Sequence, residues 1–176
     1  MINIEELEML ANKKEKENYR FRSYLKTHAD EEKLDQQFKR LHEKYFKIYD
    51  CKKCRNCCKK LGISIDEYEL DNICNYLNLN KEKFIKENLI QNYNNFSFKG
   101  CKCKFLDENN NCKINKCLPI TCKEYPYTNK EERLFSLYSI VSNASICPVV
   151  YEILEELKKE YNFKLKYHTW LTNVVF

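Results

Sequence analysis

Apolar positions recur at helical spacing through the first third of the chain. Leu34, Phe38, Leu41, Tyr45 and Ile48 follow i, i+4, i+7, i+11 and i+14, one face of a helix, and Asp30 stands where an N-cap belongs. An earlier helix is predicted over about residues 3–20, with Ile4, Leu7 and Leu10 or Ala11 on its apolar side. No glycine or proline interrupts the first 61 residues. Further on, Ser64 and Glu67 have the spacing of a capping box and open a helix carrying Tyr68, Leu70, Ile73, Cys74 and Leu77. Asn80 opens a shorter helix through Phe84, Ile85 and Leu89. Residues 92–130, rich in cysteine and asparagine, predict irregular structure with a short hairpin. The apolar run RLFSLYSIV at 133–141 reads as a strand, and Cys147-Pro148 precedes a last amphipathic helix carrying Val150, Ile153, Leu154, Leu157 and Tyr161.

Composition changes this picture mainly through eleven cysteines in 176 residues. No apolar stretch approaches the roughly 18 residues of a membrane span, so we expect no membrane partner. The N-terminal stretch MINIEELEMLANKKEKE is charged and amphipathic, unlike a secretory signal, and the cysteine count is odd. Both features argue against an exported disulfide scaffold, so we expect a cytoplasmic, reducing compartment in which a cysteine cluster serves metal or catalysis.

Charge follows the cysteines. Residues 1–50 are balanced, whereas CKKCRNCCKK at 51–60 carries five basic residues and no acidic one. Four thiolates around Zn²⁺ or a [4Fe–4S]²⁺ cluster make a site of charge about −2. Lys52, Lys53, Arg55, Lys59 and Lys60 would neutralise that charge and lower neighbouring thiol pKa values. Neutralisation explains the run better than a nucleic-acid contact, so no nucleic-acid partner is expected.

Cys51-x-x-Cys54-x-x-Cys57-Cys58 is the most specific motif. Each C-x-x-C step turns the backbone so that two sulfurs converge, which brings Cys51, Cys54 and Cys57 to one centre. The adjacent Cys58 should point elsewhere, towards a second site. Cys101, Cys103, Cys112, Cys117, Cys122 and Cys147 follow, more than one four-coordinate ion can use. How they divide is not readable from spacing. Cys74, on the apolar stripe of its helix, is expected to be core.

These motifs resemble a known family. The run C-K-K-C-R-N-C-C, then Cys103-Lys-Phe-Leu106, Cys112-Lys-Ile114, Pro119-x-x-Cys122, Tyr125-Pro126 and Cys147-Pro148 look like the YkgJ-type cysteine-cluster proteins, also described as a zinc- or iron-chelating domain. The flagellin lysine-N-methylases contain a similar domain associated with a [4Fe–4S] cluster. The resemblance implies metal ligands at Cys51, Cys54, Cys57, Cys58, Cys103, Cys112, Cys122 and Cys147, with Cys101 and Cys117 as additions. The chain departs from the family at Leu118, where arginine is usual before the proline, and at Asn115, which replaces a tyrosine.

The distal cysteines are separated by one, eight, four and four intervening residues, poor spacing for zinc knuckles. Three cysteines in C-x-x-C-x-x-C with a distant Cys-Pro are closer to the ferredoxin pattern, though there the Cys-Pro lies nearby. The cofactor expected is a [4Fe–4S] cluster, with a second site, in a structural, electron-transfer or metal-handling role. The alternatives are a zinc-binding structural protein or part of a flagellin-methylase-like lysine N-methyltransferase. With two glycines in the chain, a glycine-rich loop for S-adenosylmethionine is not expected. His28 and His42 are expected to be solvated and His168 packed, and a protein partner is left open.

The fold expected is mainly α. It is a small helix-rich single domain with an irregular cysteine-rich, metal-bound core and one short hairpin. Residues 1–50 form an N-terminal helical leader packed on the core, and residues 51–176 the cysteine-cluster domain.

Overall fold

The computed structural model describes residues 2–164, so His168 lies outside the described residues. Helix α1 (Ile4–His28) is capped by Asn3, whose side chain accepts from the Glu5 amide, and buries Leu7, Ala11, Asn18, Phe21 and Leu25. It runs past the expected end near residue 20 because Phe21 and Leu25 continue the same face. Helix α2 (Glu31–Phe46) starts at Asp30, which accepts from the Lys33 amide at 2.9 Å, and buries Leu34, Phe38, Leu41 and Tyr45. The fifth residue of that stripe, Ile48, is 48% exposed, because the helix ends at Phe46 and the following turn buries Tyr49 instead.

Two short helices, α3 (Cys51–Cys54) and α4 (Asn56–Lys60), carry the first cysteine run into strand β1 (Ser64–Asp66). Helices α5 (Glu67–Leu77) and α6 (Lys81–Asn88) follow, then strands β2 (Leu89–Asn92) and β3 (Asn95–Phe98). The capping box is present two residues later than Ser64 and Glu67: Asp66 accepts from the Glu69 amide at 2.7 Å, and Glu69 accepts from the Asp66 amide at 3.2 Å. Ser64 is instead committed to the sheet, which is antiparallel in the order β1-β3-β2 with Ile65 opposite Phe96 and Leu89 opposite Phe98. The hairpin therefore begins at Leu89, a residue expected on the preceding helix.

After helix α7 (Ile120–Glu124), helix α8 (Arg133–Ser142) occupies the segment read as a strand, and a 3₁₀ turn, Asn143–Ser145, leads to helix α9 (Pro148–Glu160). The strand assignment is corrected by the burial of Arg133, Leu137, Ile140 and Val141. Those positions repeat at i, i+4, i+7 and i+8, a period that an unbroken apolar run conceals. No single helix among the described residues is long and apolar enough to cross a membrane.

Two apolar clusters result. The larger joins α1, α2, α8 and α9 through residues such as Phe21, Phe38, Leu41, Leu137, Val150 and Leu154. Among the described residues, the first fifty positions supply nine of the twenty buried residues of this cluster. Lys158, 4% exposed, ties α9 to α1 through Glu17 at 3.3 Å and is also held by Glu155. The smaller cluster packs Ile65, Leu70, Ile73, Cys74 and Leu89 against Phe96, Phe98, Phe105 and Ile114. Helices α3 and α4 run from the first cluster to the second.

Candidate metal centre

The first cysteine run is shaped by its caps. The Asp50 side chain accepts from the Lys52 amide at 2.8 Å and its carbonyl from the Cys54 amide at 2.9 Å, closing one helical turn over Cys51–Cys54. Arg55, at φ 50, is left-handed and ends that turn so that α4 can start in a new direction. A non-glycine residue there costs roughly 1 kcal/mol. Within α4 the Asn56 side chain donates to the Ile146 carbonyl at 2.6 Å, fixing the run against the segment before α9. Cys147 is the residue at the α9 N-cap, its own amide bonded to the Asn143 carbonyl at 2.9 Å, with Pro148 at the first helical position.

These constraints place Cys51, Cys54, Cys57 and Cys147 around one small cleft of about 30 Å³. Tyr49, Arg55, Tyr125, Pro126, Ile146, Pro148 and Val149 complete its wall, which apart from the thiols is almost entirely apolar. Tyr49 is held by a hydrogen bond donated to Glu152 at 2.8 Å and one accepted from the Ile2 amide at 2.7 Å. Tyr125 donates to the Asn143 side chain at 3.1 Å. Burial, then the charges of Cys147, Cys57, Cys54 and Cys51, hold its phenol far above the ordinary range, so it remains protonated. Neither Tyr49 nor Asn56 was singled out in the sequence. Tyr125-Pro126 was a matched motif, but its side of the cleft is visible only in three dimensions.

The remaining expected ligands gather on the other cluster. The Cys103 amide donates to the Cys58 carbonyl at 2.8 Å, and Cys103 is buried. A turn across Asp107–Asn111 brings Cys112 back as the bridge partner of Leu106, supported by the Lys113 amide donating to the Phe105 carbonyl at 2.9 Å. Helix α7 carries Cys122 and is docked on the sheet: Thr121 donates to the Ser64 carbonyl at 2.8 Å, and the Ile120 amide donates to Glu69 at 2.7 Å. Burial, followed by the charges of Cys103, Cys58 and Cys112, pushes the Cys122 thiol up to about 12. Cys101 is exposed. Cys117 is partly buried against the smaller cluster, with Cys112 as the thiol whose charge reaches it. Cys74 is buried in that cluster with Asp71 and Lys81 nearby, in keeping with a core role.

Electrostatics separate the adjacent thiols. Cys57 is hydrogen-bonded to Cys58 and, with burial, is held firmly protonated. The same bond lowers Cys58 to about 6 against the opposing effect of burial, with help from Arg55. Arg55 is the member of the basic run that reaches the sulfurs: it helps to lower Cys58 and partly offsets the rise that burial, Cys54 and Asp50 cause at Cys51. Lys52, Lys53 and Lys59 point to solvent, and Lys60 pairs with Glu8. Burial raises the free thiols of Cys103 to about 11 and Cys147 to about 12. The amides of Val150 and Val149 at the start of α9 work against that rise at Cys147. Binding a soft cation would remove these protons and use the amides to stabilise the thiolate.

The thiols do not meet at a point. Among the described residues, no three His, Cys, Asp or Glu side chains are close enough to grip a single ion. His42, expected to be solvated, is half-buried: it stacks on Phe46 at 4.2 Å and its Nδ1 is 2.8 Å from the Thr128 hydroxyl. His28 is exposed and stacks on Tyr24. Neither approaches the cysteines as a ligand would. Leu118, at the family's usual arginine position, packs against the smaller cluster.

In donor type and number the cleft fits a thiolate-bound group. A family model, CxxCxxCC, described as a putative zinc- or iron-chelating domain, matches residues 50–148. No curated protein and no solved structure matches the chain.

Proposed function

Because the chain belongs to the CxxCxxCC family of zinc- or iron-chelating domains, and so carries a metal-binding cysteine domain, we propose that it is a cytoplasmic iron–sulfur protein. Cys51, Cys54, Cys57 and Cys147 hold a [4Fe–4S] cluster, and Cys58, Cys103, Cys112 and Cys122 also serve as ligands. One observation supports the cluster over zinc: Cys147, followed by Pro148, lines the same apolar cleft as the C-x-x-C-x-x-C run, a combination of ligands resembling the ferredoxin pattern. A four-iron cluster would take these four thiols as its ligands. When bound, it supplies a one-electron redox couple and four strong cross-links.

The protein's own residues shape that site. Tyr125, Pro126, Val149 and Tyr49 exclude water, lowering the local dielectric and strengthening every interaction with the cluster's charge. Arg55 offsets that charge from within the cleft wall. The α9 N-terminus directs amide dipoles at Cys147. A structural role with electron-transfer capacity follows from this setting.

Anaerobic purification with iron, zinc and acid-labile sulfide counts tests the reading. The expected product is brown, contains iron and sulfide in equal amounts, and bleaches with dithionite. A colourless protein containing zinc and no sulfide would reject the cluster.

A further inference from the structure

We infer that the eight cysteines form two separate tetrathiolate centres: Cys51, Cys54, Cys57 and Cys147 in the helical half, and Cys58, Cys103, Cys112 and Cys122 in the sheet half. The inference rests on the proposed metal-binding reading and adds the division between centres, which the motif spacing leaves open. The second centre takes a thiophilic metal, either a zinc ion or an iron–sulfur cluster.

Two observations converge on that division. None of Cys58, Cys103, Cys112 and Cys122 lines the first cleft. The clusters sort the thiols in the same way: Cys147 packs with the helices, whereas Cys103, Cys58 and Cys112 pack with the sheet residues.

The partition follows from local geometry. Cys57 and Cys58 are neighbours on helix α4, and successive side chains on a helix point about 100° apart. Cys57 lines the cleft, whereas Cys58 packs with the sheet residues, the two sulfurs staying within hydrogen-bond reach. The Cys103 amide bonded to the Cys58 carbonyl places the next pair of donors beside Cys58. The Leu106–Cys112 bridge and the docking of α7 bring the last two. A cysteine has one side-chain torsion, so rotation about Cα–Cβ re-aims each sulfur without moving these anchors. On loading, each thiol gives up its proton as its metal–thiolate bond forms, and no oxidant or reductant is needed. The two centres are then joined by the Cys57–Cys58 peptide, and Arg55 serves both. It lines the first cleft, hydrogen-bonds Cys58 in the second, and its Nε has no hydrogen-bond partner among the described residues.

The test compares the full chain with Cys147→Ser, Cys122→Ser and Cys117→Ser, all purified anaerobically and analysed for metal and sulfide. Cys147→Ser should lose the first centre's metal and keep the second's, Cys122→Ser should do the reverse, and Cys117→Ser should match the parent. Partial chelation of the parent chain, followed by iodoacetamide labelling and mass spectrometry, gives a readout that needs no variant to fold. The thiols should become reactive as two sets of four, with Cys101 reactive from the start. Joint loss of all metal in a folded single variant, loss in Cys117→Ser equal to that in Cys122→Ser, or one block of eight thiols would overturn the division. Zinc in both centres, lost one centre at a time, would reject the iron–sulfur reading and leave the division standing. A chain that binds no metal rejects both.

Discussion

Cys57 and Cys58 are consecutive in sequence and opposite in character: one is held protonated, the other is lowered to about 6. The difference comes from their shared hydrogen bond and from Arg55, whose left-handed backbone also separates the two short helices. Ligand and packing cysteines should likewise respond differently to the same change. Cys54→Ser is expected to lose metal and much of the fold, whereas Cys74→Ser keeps metal near the parent level. Metal analysis of the two purified variants checks this, and equal losses would contradict the sorting. At His42, burial lowers the pKa from 6.5 against the opposing charge of Glu43. The unfolded chain, titrating near 6.5, therefore takes up its proton first as pH falls, and His42 makes folding less favourable as pH drops through that value. An NMR titration should place the His42 midpoint below 6.5, and a midpoint at or above it would show that the ring is solvated.

Among the elements, α8 and the start of α5 show most clearly what a linear pattern conceals. Arg133–Ser142 contains Leu, Phe, Tyr, Ile and Val in close succession, a composition suited to a strand. It is helical because Leu137, Ile140 and Val141 share a face that α1 and α2 cover. Leu137, fully buried, should cost about 2–5 kcal/mol on truncation to alanine. Phe135, 67% exposed on the other side, should cost far less, and chemical denaturation of Leu137→Ala and Phe135→Ala compares them. At α5, Asp66→Ala should cost about 1 kcal/mol by removing the cap. Ser64→Ala should leave stability nearly unchanged, since Ser64 contributes its backbone to the sheet and its carbonyl to Thr121. A larger loss for Ser64→Ala than for Asp66→Ala would restore the box to its sequence-based position.

At the scale of the whole molecule, two modest apolar clusters meet through a cysteine run that belongs to neither alone. Metal bound on that run would stabilise the folded chain, because the unfolded chain cannot keep distant thiols together. Removing metal with a chelator under reducing conditions should lower the thermal midpoint by roughly 10 °C or more. In a chain of this size each kcal/mol is worth about 2–4 °C. An unchanged midpoint after complete metal loss, measured by calorimetry, would show that the apolar clusters suffice.

Helix α2 with its Asp30 cap, the Asn80 cap and the amphipathic α9 were legible in the sequence, because caps and 3.6-residue periods are local and leave a direct imprint on residue order. The metal chemistry was equally legible, since four cysteines within eight residues have few other uses. Tertiary structure alone decided that α8 is a helix, that Tyr49 and Tyr125 wall the cleft, and that Cys147 joins Cys51, Cys54 and Cys57 there. Those facts depend on packing partners many residues away. A hydrophobic run takes whichever conformation buries it, and a distant thiol becomes a neighbour only where the chain between them has folded.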